Sequence, residues 1–239
     1  MIKNVTGIVI KQKQWGERDL LVSLLSDEGE RLDLVVKGAG DGKSKRKNHI
    51  ELMNRIKGTV YDSPRHAYLQ TVECEESFFH LKQNFERVFQ VYVLLEVIEQ
   101  STLPENADPQ LYELLEATLT HLNQKSVSSL GAEIGLVKWG EALGILPSFR
   151  VCGECHKGLA DCAHWNHDKQ VVLCQDCTSP HCEELPLKYR KALEFFKSAS
   201  FQECSAIVFQ EEEIFKLREL IPYLLRGHLE RPLKSLMAF

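Results

Sequence analysis

Long apolar runs are missing from this sequence. The longest, such as Val91–Leu95, extend for only a few residues, whereas a helix that crosses a bilayer needs about 20. No transmembrane helix is expected. The opening residues, Met1-Ile2-Lys3-Asn4, lack the apolar core of a secretory signal, which points to a cytoplasmic protein. Eight cysteines in 239 residues are too few for a disulfide scaffold. In a reducing compartment, clustered thiols indicate metal or redox chemistry instead. Internal repeats and low-complexity tracts are also absent. Hydrophobic residues at 44% and charged residues at 26% exclude wholesale disorder and collagen-like structure. The length suits one large domain or two modest ones.

Familiar catalytic signatures are missing too. Gly38-x-x-x-Gly42-Lys43-Ser44 is one residue short of a phosphate-binding P-loop, and the residues after it are polar and basic rather than amphipathic. His49-Ile50-Glu51 has the form seen in zinc deaminases. The next C-x-x-C, however, lies about 100 residues downstream and lacks a preceding proline. Neither H-E-x-x-H nor G-x-S-x-G occurs. The expectation is a binding protein with no catalytic residue, not an enzyme.

The first third of the chain carries β patterning. Val5, Gly7 and Val9 alternate with Thr6, Ile8 and Ile10. Leu20–Leu25 is a short apolar run, Asp27-Glu28-Gly29 a turn, and Leu32, Leu34 and Val36 resume the alternation. Gly38–Gly42 opens a loop, Ile50–Tyr61 is β-like, and Ala67–Glu73 follows a turn at Ser63-Pro64-Arg65. Five short strands fit a small closed barrel, OB-type or SH3-like. From Phe78 onward the period is helical. Phe78, Leu81, Phe85, Val88, Phe89, Tyr92 and Leu95 form one stripe, with Ser77 as a candidate cap. Further helices are expected over Leu111–Leu122, from Leu130 to about Gly144, and over 188–198 and 211–227. The patterning is thus α+β and multi-domain: a five-stranded barrel, OB-type or SH3-like, over 1–77, then a helical domain over 78–239 with a cysteine-rich insertion at about 150–184.

Two constellations carry chemistry. Cys152-Gly153-Glu154-Cys155 and Cys174-Gln175-Asp176-Cys177 are paired knuckles. Their spacing fits one closed, tetrahedral four-cysteine zinc site of structural type. Cys162, Cys182, His156, His164, His167 and His181 lie in the same stretch as candidate replacements for a knuckle cysteine, Cys162 first among them. Cys74 and Cys204 stand alone and are expected to pack as small hydrophobes.

The second constellation is cationic. The chain has 29 Lys/Arg against 34 Asp/Glu, a net charge of −5, but residues 1–66 carry 13 against 9. The densest part holds Lys37, Lys43, Lys45, Arg46, Lys47, Arg55 and Lys57 against Asp41 and Glu51, with Lys11, Lys13 and Arg18 as candidate extensions. A glycine-rich loop with several cations between barrel strands suits a phosphate backbone. Trp15, Tyr61 and Tyr68 are candidates for stacking on bases.

The order of four stretches resembles the RecO family of bacterial DNA repair and recombination mediators. They are Gly16-Glu17-Arg18-Asp19-Leu20 before Leu25-Ser26-Asp27-Glu28-Gly29, Val36-Lys37-Gly38-Ala39 before Lys43-Ser44-Lys45, Leu143-Gly144-Ile145-Leu146-Pro147-Ser148 before the first knuckle, and Arg231-Pro232-Leu233-Lys234-Ser235-Leu236. The resemblance covers the whole chain. It implies an N-terminal OB-fold, a helical domain and a zinc-binding insertion. It also implies binding of single- and double-stranded DNA and annealing of complementary strands. With RecR, such a protein would load RecA onto strands coated by single-strand-binding protein (SSB), recognising the SSB C-terminal tail. Nucleoid association follows, with RecA as an indirect partner and no membrane. An apolar pocket with one or two cations would suit the tail; Arg87, Lys138, Arg226 and Arg231 are candidates. The segment Ala163–Asp168 lacks the glycines often present there in the family. Three rival readings make different predictions. A zinc-ribbon factor in transcription or translation predicts RNA or polymerase binding, a scaffold predicts no salt-dependent DNA binding, and a thiol oxidoreductase predicts free thiols and no zinc.

Overall fold

A computed structural model describes residues 2–42, 44–102, 107–125 and 127–235. The chain divides into two compact units, Met1–Ser126 with Glu230–Phe239, and Val127–Leu229. The first contains β1 (Ile2–Trp15), β2 (Asp19–Ser26), β3 (Arg31–Val36), β4 (Arg55–Asp62) and β5 (Ala67–Glu76). They close a barrel in the order β1-β2-β3-β5-β4. The β3–β5 pair is parallel and the others are antiparallel. A short helix, α1 (Lys45–His49), lies between β3 and β4. This strand order is that of an OB-type barrel, so the SH3-like alternative falls away.

Three helices complete the first unit: α2 (Phe79–Lys82), α3 (Phe85–Ser101) and α4 (Pro109–Leu122). Both α3 and α4 pack on β1, which explains why β1 is apolar on alternate and intervening positions alike. Val5 and Val9 join Val22, Leu24, Leu34 and Ile56 in the barrel core. Ile8 and Ile10 are also buried but stand outside that cluster, on the face that meets the helices. A bulge between Val9 and Lys11 bends the strand. Ile2–Ile8 thereby pairs with β4 and Gly7–Trp15 with β2. At the β2–β3 turn, Gly29 has φ +79°, and a Cβ there would lie 2.0 Å from the Asp108 carbonyl oxygen. Only glycine tolerates both the left-handed backbone and that approach.

Ion pairs tie these helices to the barrel. Lys11 Nζ lies 2.8 Å from Glu99. Arg31 donates to the carbonyls of Glu99 and Thr102 at 2.7 and 3.0 Å. Arg55 bonds Glu116 on α4 and lies 3.6 Å from Glu75. The segment 231–235 returns to α3. Glu96 accepts from the backbone N–H groups of Lys234 and Ser235 at 2.8 and 2.9 Å and from the Ser235 hydroxyl at 2.6 Å.

Burial pushes the Glu96 carboxyl up, but the Ser235 hydroxyl and the two N–H groups outweigh it and hold the group below its usual 4.5. A depressed carboxylate stabilises the folded state above its unfolded pKa and loses that contribution as pH falls through the folded value. Acidification through and below 4.5 should therefore free residues 231–235 before the barrel opens. The check is hydrogen exchange of the Lys234 and Ser235 amides, corrected for intrinsic rate. Glu96→Gln should loosen the same amides at neutral pH, and unchanged protection in that variant would refute the assignment.

The second unit contains α5 (Gly131–Ala142), α6 (Leu187–Ser198), α7 (Phe201–Ser205) and α8 (Glu211–Leu225). The helices α6, α7 and α8 pack on α5. Trp139 of α5 is buried, and Gly144 follows the helix at φ +66°. Between α5 and α6 lies a small antiparallel sheet, β7-β6-β8, made of β6 (Ala163–Asn166), β7 (Val171–Cys174) and β8 (Cys182–Glu184). Among the described residues, no helix is long and apolar enough to cross a membrane.

Several local expectations are corrected. The stripe from Phe78 to Leu95 is two helices, not one. Phe78 sits in the left-handed region at φ 49° and is buried. Asn84, not Ser77, caps the longer helix, accepting from the Arg87 N–H at 3.0 Å. Residues 50–54 are not strand. Met53 takes φ 73°, and the buried Asn54 turns its amide onto the carbonyls of Asn48 and His49 at 3.0 and 2.9 Å. The basic stretch after Gly42 is not wholly loop, because Lys45–His49 forms the short helix α1, which buries no residue.

Candidate metal centre and nucleic-acid surface

The cysteine-rich insertion brings Cys152, Cys155, Cys174 and Cys177 together, with ligand atoms all within 4.8 Å of one another. Backbone hydrogen bonds set this geometry. The Cys152 N–H donates to the Lys157 carbonyl at 2.8 Å, and the His156 N–H donates to the Cys152 carbonyl at 3.0 Å. His156 closes the knuckle at φ 58°. The Gly153 N–H donates to the Val172 carbonyl at 2.9 Å. A Cβ on Gly153 would lie 2.6 Å from the Val171 side chain, so the first knuckle sits against β7 only with glycine there. The second knuckle leaves the end of β7 through a 3-10 turn, Gln175–Cys177.

These residues fit a tetrahedral cation. With metal–sulfur bonds of about 2.3 Å, the edge of a tetrahedron is roughly 3.8 Å. The Cys155 and Cys174 sulfurs are 3.7 Å apart. Burial pushes the Cys152 thiol up, but surrounding backbone N–H groups, those of Cys155 and Cys174 first, prevail and hold it down at about 6. The hydrogen bond with Cys174, then burial, push Cys177 up to about 12. Four such thiols cannot all ionise against their mutual repulsion, and a dication removes that repulsion.

The candidate replacements fall elsewhere. Cys162 is exposed. His167 bonds the Tyr223 hydroxyl and lies 3.4 Å from Glu183. The extra thiol Cys182 meets Asn166 and Ser179, each at 3.3 Å. Among the described residues, the knuckle cysteines form the one group close enough to share an ion. Sequence reasoning missed Arg190, which is buried on α6 and donates to the carbonyls of Phe149, Ala160 and Asp161. It pins the chain on both sides of the first knuckle. A buried arginine bonded to distant carbonyls leaves no periodic trace in sequence.

The two lone cysteines differ, since Cys74 is only half-buried. Cys204 is buried, and the Cys74 N–H donates to His49 Nδ1 at 3.0 Å. This bond and the Asn54 amide anchor the C-terminal end of α1 to the barrel.

The cationic candidates separate into groups. Lys45, Arg46 and Lys47 project from α1 and are exposed; Lys43 lies outside the described residues. Backbone stitching ties the Arg18–Asp19 turn to the loop that follows Lys37. The Gly38 N–H donates to Asp19 Oδ1 at 2.8 Å and the Gly40 N–H to the Arg18 carbonyl at 2.8 Å. Lys37 and Arg46 line one hollow of about 570 Å³ with Tyr61 and Tyr68. Lys13 is exposed near the end of β1, and Lys57 is exposed on β4 opposite Thr6 and Glu73. Lys11 and Arg55 instead face the carboxylates that hold the helices. Among the described residues, no ion pair joins Lys13, Arg18, Lys37, Lys45, Arg46, Lys47 or Lys57 to a carboxylate.

The tail-pocket candidates are mostly engaged internally. Arg87 donates to the carbonyls of Leu122, Gln124 and Lys125. Lys138 bonds the Ala199 carbonyl and lies over the Phe201 ring. Arg231 meets Glu99, while Arg226 is exposed.

An OB-type barrel followed by helices and a four-cysteine insertion defines a multi-domain α+β protein. Residues 1–78 match the family description "Recombination protein O N terminal", and residues 82–237 match "Recombination protein O C terminal". The chain belongs to the RecO family of DNA repair proteins. It is 26% identical over 240 residues to DNA repair protein RecO of Syntrophobacter fumaroxidans, covering 96% of this chain and 94% of that protein. The same protein of Leptospira biflexa is 25% identical, covering 100% and 96%. That of Oceanobacillus iheyensis is 22% identical, covering 92% and 86%.

Proposed function

We propose that this protein is a recombination mediator that binds single- and double-stranded DNA and anneals complementary strands. With RecR, it helps RecA load onto SSB-coated single strands. The observation that carries the reading is that Lys37 and Arg46 line one hollow of the OB-type barrel together with Tyr61 and Tyr68. Among the described residues neither cation pairs with a carboxylate, and Lys37 stands over the Tyr68 ring. Cations held this way grip phosphates without reading sequence. Two strands held near one another anneal faster through raised effective concentration, so no covalent chemistry is needed and the protein is not an enzyme.

The barrel, residues 1–77, would supply the DNA contact and the helical domain, residues 78–239, the protein contacts. One structural Zn2+ would sit in the four-cysteine site at 150–184. Its chemistry is to neutralise and lock four thiolates. The SSB tail, acidic and hydrophobic, suits the cavity of about 460 Å³ lined by Ile10, Phe89, Tyr92 and Leu95 with Arg231 and Lys234. Glu96 and Glu99 hold that rim, so an acidic tail must displace carboxylates to enter.

The test is annealing of two complementary oligonucleotides, naked and SSB-coated. Acceleration in both arms is expected. Acceleration of naked strands alone would remove the SSB partnership, and no acceleration in either arm would remove the mediator reading.

A further inference from the structure

The tips of two barrel hairpins touch. Trp15, where β1 turns into β2, lies 5.6 Å from His66, in the turn between β4 and β5, with their rings at 75°. His66 lies 6.4 Å from Tyr68 at 89°. Tyr68 sits opposite Tyr61 across the β4–β5 ladder, and Lys37 Nζ stands 5.2 Å over the Tyr68 ring. The ordinary explanation for such rings is core packing, but Trp15, Tyr61 and His66 are exposed, and the half-buried Tyr68 stands outside the barrel core. The neighbouring positions Val60 and Leu69 fill the barrel, while Trp15 and Tyr61 remain 39% and 40% exposed. An edge-to-face contact covers one face of one ring of the pair and leaves the other faces open.

A phosphate-gripping surface has no use for open ring faces. Base faces are hidden inside a duplex stack and available in an unpaired strand, where stacking on aromatic side chains is sequence-tolerant. We propose that Trp15, His66, Tyr68 and Tyr61 form a ledge that stacks unpaired bases, while Lys37 and Arg46 hold the adjoining phosphates. This rests on the DNA-binding reading above and names the form of strand that this end of the barrel selects. Lys37 acts as a movable cover. Its flexible stem lets the ammonium leave the Tyr68 ring for a phosphate, which exposes the ring as the charge engages. His66 joins the ledge only because the β4–β5 turn is closed by Ser63, whose N–H and hydroxyl both donate to the His66 carbonyl, at 3.1 and 2.7 Å.

The test uses the full chain and three probes: a single-stranded oligonucleotide, the same backbone with abasic sites, and the matching duplex. The base-containing strand should bind about 10-fold more tightly than the abasic one. Trp15→Ala and Tyr68→Ala should each lose roughly 5- to 150-fold on the base-containing strand. They should lose little on the abasic strand, with the salt dependence unchanged, and Trp15→Phe should retain most of the binding. A readout that needs no variant is tryptophan emission. Trp139 and Trp165 are 1% and 2% exposed, so quenching by the single strand reports Trp15. Equal affinity for base-containing and abasic strands, without quenching, overturns the ledge and leaves phosphate binding intact. Binding to none of the three probes overturns the DNA-binding reading itself.

Discussion

Natural protein should carry about one zinc per chain, and Cys152→Ser should carry well under half of that. Apparent binding free energies of structural zinc sites, about 10–16 kcal/mol in small peptides, rival the entire stability of a domain, about 5–15 kcal/mol. The sheet that the knuckles close has strands of only four, four and three residues, too short to hold together unaided. Losing one thiolate should therefore open the insertion while the barrel stays folded. Metal analysis by mass spectrometry gives the stoichiometry, and hydrogen exchange shows where the structure opens. Residues 150–184 should lose protection and strands β1–β5 should keep it. Full protection of 150–184 in metal-stripped protein would defeat the assignment. Cys162→Ser, which alters an exposed thiol outside the cluster, should leave zinc content and protection unchanged.

The second large effect is electrostatic. Replacing Lys45, Arg46 and Lys47 together by alanine should weaken single-strand binding roughly 100-fold at 0.1 M salt, with the loss shrinking toward nothing near 1 M. Three phosphate contacts removed should flatten the slope of log affinity against log salt by about 2. Stability should barely change, because α1 buries no residue and alanine is the best helix former. Arg55→Ala is the contrast. It breaks the links to Glu116 and Glu75, so it should lower the melting temperature with little effect on the slope. An unchanged slope in the triple variant would show that α1 does not touch DNA.

These two centres were legible in the sequence to different degrees. The knuckles were explicit, because a C-x-x-C pair is a local geometric device and two of them define a donor set. The small sheet around the cysteines was not, since β6, β7 and β8 are too short to show a period. The cationic run was equally visible, but sequence spacing could not separate its members. Lys11 and Arg55 look like the others in the chain, yet both turn to carboxylates more than 60 positions away in sequence. His66 was overlooked for the same kind of reason. Nothing near it in sequence announces that Trp15 will arrive beside it.

The helix boundary at 82–85 shows how a periodic signal misleads. Phe78, Leu81 and Phe85 keep helical spacing across the break, but Phe78 is left-handed and Asn84 offers a cap stronger than continuation. The side chains of Asn84 and Asn54 compete with the backbone for hydrogen bonds. Periodicity carries no record of which competitor prevails.

Sequence alone determined the class of fold, the family and the four-cysteine cluster, because strand alternation, helical stripes and knuckle spacing are all written in short windows. Tertiary structure alone decided the barrel closure, with β3 parallel to β5. It also decided which cations face solvent and which face Glu99 and Glu116, and how two hairpin tips bring Trp15 against His66. Each of these is a contact between distant segments, and its sign depends on chain path rather than on residue type.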